Sequence, residues 1–151
     1  WPRWWRASTC VTITSLRQRP AAAQRGRTQT EPMKVLLVDD HPLILAALQG
    51  MIGSLGDDVT VVGVSNGREA LAKQQQGQYD LVLTDLFMPE MNGIELLRAL
   101  RAAADTIPVI AATAAVMGNE LEELTDAGAD EVVMTLENYP VARLAEILRS
   151  R

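Results

Sequence analysis

Three aspartates in this sequence follow short apolar runs, and their side chains could act together. Asp39 and Asp40 follow the run Val-Leu-Leu-Val at 35–38, and Asp85 follows Leu-Val-Leu-Thr at 81–84. Uncharged runs of β-compatible residues predict buried strands of a parallel sheet. Ligands bind outside the carboxyl ends of such strands. If the two strands are parallel neighbours, the three carboxylates therefore meet at one edge of the sheet.

Three carboxylates in one place predict a bound cation. Without one they repel each other and raise one another's pKa. Hard oxygen ligands in this number suit Mg²⁺, which binds one or two carboxylates together with waters and phosphate oxygens. We therefore predict a magnesium-assisted phosphoryl site. Any one of these aspartates alone could instead be an ordinary strand-end or helix-capping residue, but that explanation is weaker for all three.

Length and composition predict a single α/β domain. The chain has 151 residues, enough for one core, and 48% hydrophobic but only 4% aromatic residues, which indicates an aliphatic core. A lone cysteine, Cys10, excludes an internal disulfide framework. No apolar run approaches the roughly 20 residues that span a bilayer. We expect a soluble, cytoplasmic protein with no membrane partner.

The charge is unevenly distributed along the chain. Residues 1–32 contain six arginines and one acid, whereas 33–151 contain 8 basic and 18 acidic residues, a net charge of −10. The tail has no sustained periodicity, so we expect it to be disordered and outside the fold. It could be upstream sequence or part of a fragment, and its arginines and tryptophans raise the alternative of nucleic-acid binding. The acidic body is a poor match for nucleic acid.

Strand and helix patterns alternate along 33–151. Strands are predicted at 34–38, 59–64, 81–85, 107–112 and 131–134. Helices are predicted from 42 to either Gly53 or Gly56, and at 68–76, 93–103, 117–127 and 140–148. Five strands alternating with five helices predict a doubly wound, five-stranded parallel sheet covered on both faces.

The assembled residues resemble the receiver domain of two-component response regulators. The resemblance covers 33–151 and rests on four pieces: Val38-Asp39-Asp40-His41-Pro42, Asp85-Leu86-Phe87-Met88-Pro89-Glu90-Met91-Asn92-Gly93, Thr113-Ala114 and Ala127-Gly128-Ala129-Asp130. It implies the flavodoxin-like strand order 2-1-3-4-5.

The resemblance also implies roles for individual residues. Asp85 corresponds to the residue that accepts a phosphoryl group from a phosphohistidine on a histidine kinase or phosphotransfer protein. Asp39, Asp40, Asp85 and the backbone carbonyl of Phe87 would hold Mg²⁺. Thr113 corresponds to the hydroxyl that contacts the phosphoryl group, although a strand-end threonine can also bond only to local backbone. Such a domain is not itself an enzyme and signals to a downstream protein by contact.

Two positions depart from the family pattern. Where the family has a lysine and an aromatic residue near the end of the fifth strand, this chain has Thr135 and Val132. Thr135 can donate only a neutral hydrogen bond to the phosphoryl group, and charge-assisted bonds are about twice as strong. We therefore expect slow, weak or absent phosphorylation, and the alternative is a pseudo-receiver that signals without it.

Two other classes remain as alternatives. An aspartate-nucleophile phosphatase usually has a second acid two residues after the nucleophile, where this chain has Phe87. The second class is a nucleic-acid binder that uses the tail. His41, the only histidine, is interpreted as an ordinary loop residue.

Overall fold

The computed structural model describes residues 32–77, 79–113 and 118–134. The predicted last helix (140–148), residues 1–31 of the predicted tail (1–32) and Thr135 lie outside these residues. The described elements alternate in chain order: β1 (Met33–Val38), α1 (Pro42–Gly53), β2 (Val59–Val64), α2 (Gly67–Gln76), β3 (Leu81–Asp85), α3 (Gly93–Ala102), β4 (Val109–Thr113), α4 (Glu120–Ala127) and β5 (Glu131–Met134).

All five strands form one parallel sheet in the order β2-β1-β3-β4-β5. This is the predicted order, and it places β1 and β3 side by side at the centre. The carboxyl ends of these two strands consequently lie at the same edge of the sheet. None of the helices among the described residues is long and apolar enough to cross a membrane.

Alternate residues of the central strands pack on opposite faces of the sheet. Leu36, Val82 and Val109 belong to a core cluster that includes leucines of α3 and α4, and Leu37, Leu83 and Ile110 belong to a second cluster that includes Leu48 and Ile52 of α1. Both faces are therefore apolar, as uninterrupted hydrophobic strands require. The core is largely aliphatic, as the composition predicts.

The fourth strand begins later than predicted, at Val109 rather than Ile107. The backbone N–H of Ile107 donates to the Asp105 carboxylate at 2.9 Å, and the Ile107 carbonyl accepts from the Arg101 guanidinium at 2.9 Å. Because these groups are already bonded to side chains, Ile107 does not join the ladder. The strand continues through Thr113, which pairs with Met134 of β5.

The fourth helix also begins later than predicted, at Glu120 rather than Met117. Gly118 has a φ of 77°, in the left-handed region that a right-handed helix excludes. The helix ends at Ala127, and Gly128, with a φ of 93°, terminates it. The end of this helix is where the sequence predicts it.

Candidate functional site

The carboxyl edge of the sheet brings together the ends of β1 and β3. Val38 of β1 pairs with Thr84 of β3 in the parallel ladder. Asp39 and Asp85 are the residues that directly follow this pair, one on each strand. The backbone N–H of Asp39 donates to the Val64 carbonyl at 3.2 Å, which extends the β1–β2 pairing by one residue. The sheet thus holds the backbone of both acids in place. Asp40 is the next residue after Asp39.

The side chains of Asp39, Asp40, His41 and Asp85 form one cluster, hereafter the acid pocket. Each residue offers one ligand atom, and these atoms all lie within 4.8 Å of one another. Asp39 is buried, Asp40 and Asp85 are partly buried, and His41 is exposed. The structure therefore places the three predicted acids in a single site.

The pKa of Asp85 reflects both its burial and the neighbouring acids. The pKa of Asp85 is raised above its ordinary value, first because burial disfavours the charged form and next because the Asp39 carboxylate is near, with a smaller contribution from Asp40. Hydrogen bonds from the backbone N–H groups of Leu86 and Phe87 oppose this shift. The Leu86 N–H lies 2.7 Å from Asp85 Oδ1. A cation in the pocket would remove the repulsion.

The other two acids differ in how their oxygens are satisfied. Asp39 Oδ1 accepts the backbone N–H of His41 at 2.8 Å. Asp40 Oδ1 is buried and makes no hydrogen bond among the described residues. His41 Nδ1 lies 3.1 Å from it, but a short distance without suitable angles is not a hydrogen bond. A buried carboxylate oxygen without a donor is costly unless a cation binds it. The residues present therefore fit a divalent ion with a preference for oxygen ligands.

The loop after Asp85 closes tightly on the strand end. A Cβ on Gly93 would lie 2.5 Å from the Asp85 carbonyl oxygen, so only glycine fits there. The Gly93 N–H donates to the Leu86 carbonyl at 3.0 Å. Asn92 and Glu95 form a reciprocal capping box at the start of α3. The glycine in the Met-x-Gly piece of the motif thus fixes the backbone that carries Asp85.

The remaining predicted site residues have different positions. Thr113 is buried at the carboxyl end of β4, the neighbour of β3, and so lies at the same edge as the acids. Phe87 lies two residues beyond Asp85 with its side chain 53% exposed. Val132 is buried in the core on β5. The roles assigned to Thr113, Thr135 and the Phe87 carbonyl remain predictions.

His41 is the site residue that sequence reasoning missed. Its ring Nδ1 lies 3.2 Å from Asp39 Oδ1 and 3.1 Å from Asp40 Oδ1. These contacts raise the pKa of the imidazole, first through the hydrogen bond with Asp39 and next through the charge of Asp40. The only signal in the sequence is that His41 directly follows the acid pair, and adjacency does not say which way a ring turns.

Comparisons with known proteins point to signalling proteins. The chain is 37% identical over 103 residues to the sensor protein EvgS of Escherichia coli, an alignment that covers 68% of this chain and 8% of that protein. It is 31% identical over 119 residues to the response regulator protein VraR of Staphylococcus saprophyticus, covering 78% of this chain and 56% of VraR. The chain thus spans only part of these relatives.

Solved structures share the fold over almost their whole length. The chemotaxis protein CheY4 of Vibrio cholerae superposes with a TM-score of 0.70 at 28% identity, covering 79% of this chain and 98% of that structure. The response regulator protein TrrA of Thermotoga maritima, solved in complex with Mg²⁺ and BeF, superposes with a TM-score of 0.67 at 30% identity, covering 78% and 97%. The family described as the response regulator receiver domain matches residues 35–136. The chain belongs to this family.

Proposed function

We propose that this chain is a phospho-acceptor receiver domain in two-component signal transduction, with Asp85 as the acceptor. The proposal takes 33–151 as the receiver domain and 1–32 as a tail outside it. We propose that the domain acts in the cytoplasm. It would accept the phosphoryl group and carry the signal, and it would not itself be an enzyme. The observation that carries the proposal is the convergence of Asp39, Asp40 and Asp85 within 4.8 Å at the carboxyl edge of the sheet.

The proposed reaction is a transfer between two side chains. A carboxylate oxygen of Asp85 attacks the phosphorus of a phosphohistidine on a histidine kinase or phosphotransfer protein. The phosphorus–nitrogen bond breaks, its electron pair stays on the imidazole nitrogen, and that nitrogen takes up a proton. The product on this chain is an acyl phosphate on Asp85. Phosphoryl transfer of this kind requires chiefly positioning and charge neutralisation from the protein.

The residues that would hold Mg²⁺ are Asp39, Asp40, Asp85 and the Phe87 backbone carbonyl. When bound, the ion neutralises the charge on the transferring phosphoryl oxygens. The buried, unbonded oxygen of Asp40 supports this assignment because it lacks a donor. Thr113, buried at the same sheet edge, is proposed to contact the phosphoryl group after transfer.

The surface beside the acid pocket supports docking of a protein partner. Leu43 is 86% exposed at the start of α1, only two residues from His41, and Phe87 is exposed two residues from Asp85. The helix sequence, Pro-Leu-Ile-Leu-Ala-Ala-Leu-Gln-Gly-Met-Ile-Gly, has no charged residue. Exposed apolar residues grouped near a site are typical of protein–protein contact. A kinase or phosphotransfer protein could therefore bury them when it approaches Asp85, and a downstream protein would bind in its turn.

A pseudo-receiver remains the second candidate, because Thr135 stands where the family has a lysine. Such a domain would keep the acids and signal without a covalent change. Val132, buried in the core, also leaves no aromatic residue at the position that would reorient in the family.

The experiment is treatment of the full chain with acetyl phosphate and Mg²⁺, followed by intact mass measurement. We expect one phosphoryl adduct, slowly formed, absent from Asp85→Ala and formed faster in Thr135→Lys. A pseudo-receiver would show no adduct in the native chain, whereas Thr135→Lys would gain one. No adduct in either chain, or an adduct that survives Asp85→Ala, would contradict the proposal.

A further inference from the structure

Thr84 is a buried polar residue that follows three apolar residues of β3. It is only 1% exposed, and the residues at 81–83 are fully buried. Its ladder partners are Val38 of β1 and Ala111 of β4, which both belong to an apolar core cluster. A hydroxyl buried among such neighbours costs free energy unless it is hydrogen-bonded. Valine would suit this position unless the hydroxyl has a use.

The Thr84 hydroxyl donates to the backbone carbonyl of the next residue, Asp85, at 2.9 Å. The other side of the same peptide unit is also bonded, because the Leu86 N–H donates to Asp85 Oδ1 at 2.7 Å. A peptide unit is planar and trans, so its C=O and N–H point in opposite directions. The two hydrogen bonds therefore fix the orientation of one peptide plane, and the Asp85 carboxylate is bonded to that plane.

The start of α3 packs closely against the same carbonyl. A Cβ built on Gly93 would lie 2.5 Å from the Asp85 carbonyl oxygen. This close approach shields one side of the carbonyl from water. The Thr84 hydroxyl thus supplies a hydrogen bond from inside the protein to a group that α3 partly covers.

We infer that Thr84 is a positioning residue for the acceptor carboxylate. The inference rests on the proposed function, in which Asp85 takes the phosphoryl group. Without the hydroxyl, the Asp85–Leu86 peptide is less constrained, and the N–H that holds Oδ1 turns with it. The carboxylate then spends less time in the orientation that attack on phosphorus requires, and phosphoryl transfer depends chiefly on positioning.

The competing explanation is that the hydroxyl bonds to a nearby carbonyl only because it is buried. Thr84 would then serve packing, and its methyl group would matter more than its hydroxyl. Two substitutions separate the explanations. Thr84→Val removes the hydroxyl and retains the shape, whereas Thr84→Ser retains the hydroxyl and removes the methyl group. Packing predicts the larger loss in Thr84→Ser, and positioning predicts it in Thr84→Val.

The first test is the rate of Asp85 phosphorylation in the full chain, measured with Mg²⁺ over a range of acetyl phosphate concentrations. We expect Thr84→Val to lower the maximal rate by about tenfold, a typical loss when a group that orients a metal ligand is removed. The acetyl phosphate concentration at half-maximal rate should change less, because buried Thr84 does not contact the phosphodonor. Thr84→Ser should remain close to the native rate. A loss in Thr84→Ser that exceeds the loss in Thr84→Val would overturn the inference.

The second test is the amide proton chemical shift of Leu86 in the isotope-labelled full chain, which requires no phosphorylation. Donation to a carboxylate moves an amide proton downfield. We therefore expect an upfield change in Thr84→Val and little change in Thr84→Ser. An unchanged Leu86 shift in Thr84→Val would overturn the inference. If Thr84→Val does not fold, Thr84→Ser and Thr84→Ala give the same comparison, because both lack the methyl group and only serine retains the hydroxyl.

Two controls separate failure of the inference from failure of the proposed function. Thr60→Val, at an exposed position of β2, should change neither the rate nor the Leu86 shift. If the native chain forms no adduct, or an adduct survives Asp85→Ala, the proposed function fails and the positioning role fails with it. If the native chain is phosphorylated on Asp85 and Thr84→Val is phosphorylated equally fast, only the inference fails.

Discussion

Two charged clusters lie at opposite ends of the sheet and differ in how far the protein compensates their charges. At the amino end of β4, the Arg101 guanidinium donates to three backbone carbonyls and to the Asp130 carboxylate at 2.9 to 3.1 Å. Asp130 also accepts the Val109 N–H at 2.9 Å. At the carboxyl end, the acid pocket brings three carboxylates together with one exposed histidine. One cluster is neutralised by the protein, and the other is not.

The difference separates a structural cluster from the proposed metal site. Arg101 and Asp130 join α3 to the loop before β5, and their side chains are only 14% and 18% exposed. Their charges are compensated, so they stabilise the fold and need no ligand. The acid pocket keeps repulsion that a bound cation would relieve. We therefore expect mutation of the Arg101 cluster to lower the free energy of unfolding, and divalent ions to raise it by binding in the acid pocket.

The largest expected effect is on the compensated cluster. Arg101→Met should lower the free energy of unfolding by about 3 kcal/mol, because it leaves Asp130 and several carbonyls partly buried without their donor. The measurement is urea unfolding in EDTA.

The matched control is Arg98→Met on the same helix. Arg98 pairs with Glu123 at 3.7 Å, but the two side chains are 57% and 40% exposed. An exposed pair contributes under about 1 kcal/mol. Equal losses in the two variants would contradict the assignment of Arg101 as a buried structural anchor.

The next effect concerns the backbone beneath Asp85. Gly93→Ala should destabilise the chain by about 2 kcal/mol, since its Cβ would meet the Asp85 carbonyl and the neighbouring backbone must move. It should also slow phosphorylation of Asp85. The control is Gly53→Ala at the end of α1, where a Cβ meets nothing within 4 Å. That change should be neutral or stabilise the helix, and a similar loss in both variants would show that Gly93 has no special role.

A smaller effect with the opposite sign is expected in the acid pocket. In EDTA, Asp85→Asn should raise the free energy of unfolding, on the order of 1 kcal/mol after solvent screening, because it removes one of three repelling charges. Saturating Mg²⁺ should stabilise the native chain and not the variant, which reverses their order. A destabilised Asp85→Asn chain in EDTA would mean that the acids are not under repulsion.

The smallest effect is on the pH dependence of stability in EDTA. The pKa of Asp85 is raised above its ordinary value of 3.8, so the folded chain keeps a proton that the unfolded chain has lost. Stability should therefore fall as pH rises from about 4 through the raised pKa. The pKa of His41 is raised above 6.5, and its contribution is present below that value and lost as pH rises through the folded pKa.

Thermal unfolding between acid and alkaline pH would measure both ranges. Asp85→Asn should flatten the acidic range, and His41→Gln should flatten the neutral one. If the stability of the native chain rises with pH in the acidic range, and Asp85→Asn shows the same pH dependence, the raised pKa of Asp85 is not what sets this range.

Local patterns in the sequence predicted much of this fold and part of the site. The strand–helix alternation, the acids at two strand ends and the glycine at the start of α3 are each coded within a few residues. The Arg101 cluster was not predicted, because its two charged partners are 29 residues apart and meet only through the fold. The late start of β4 has the same origin, since Arg101 and Asp105 bind Ile107. The orientation of His41 depends on a side-chain torsion that no spacing encodes.

The most direct test of the account is a crystal structure of the chain grown with Mg²⁺ and beryllofluoride, a phosphoryl mimic. We expect beryllium bonded to a carboxylate oxygen of Asp85, with the Mg²⁺ ion bound by Asp39, Asp40 and Asp85. An ion bound away from these three carboxylates, or beryllofluoride on another residue, would contradict it.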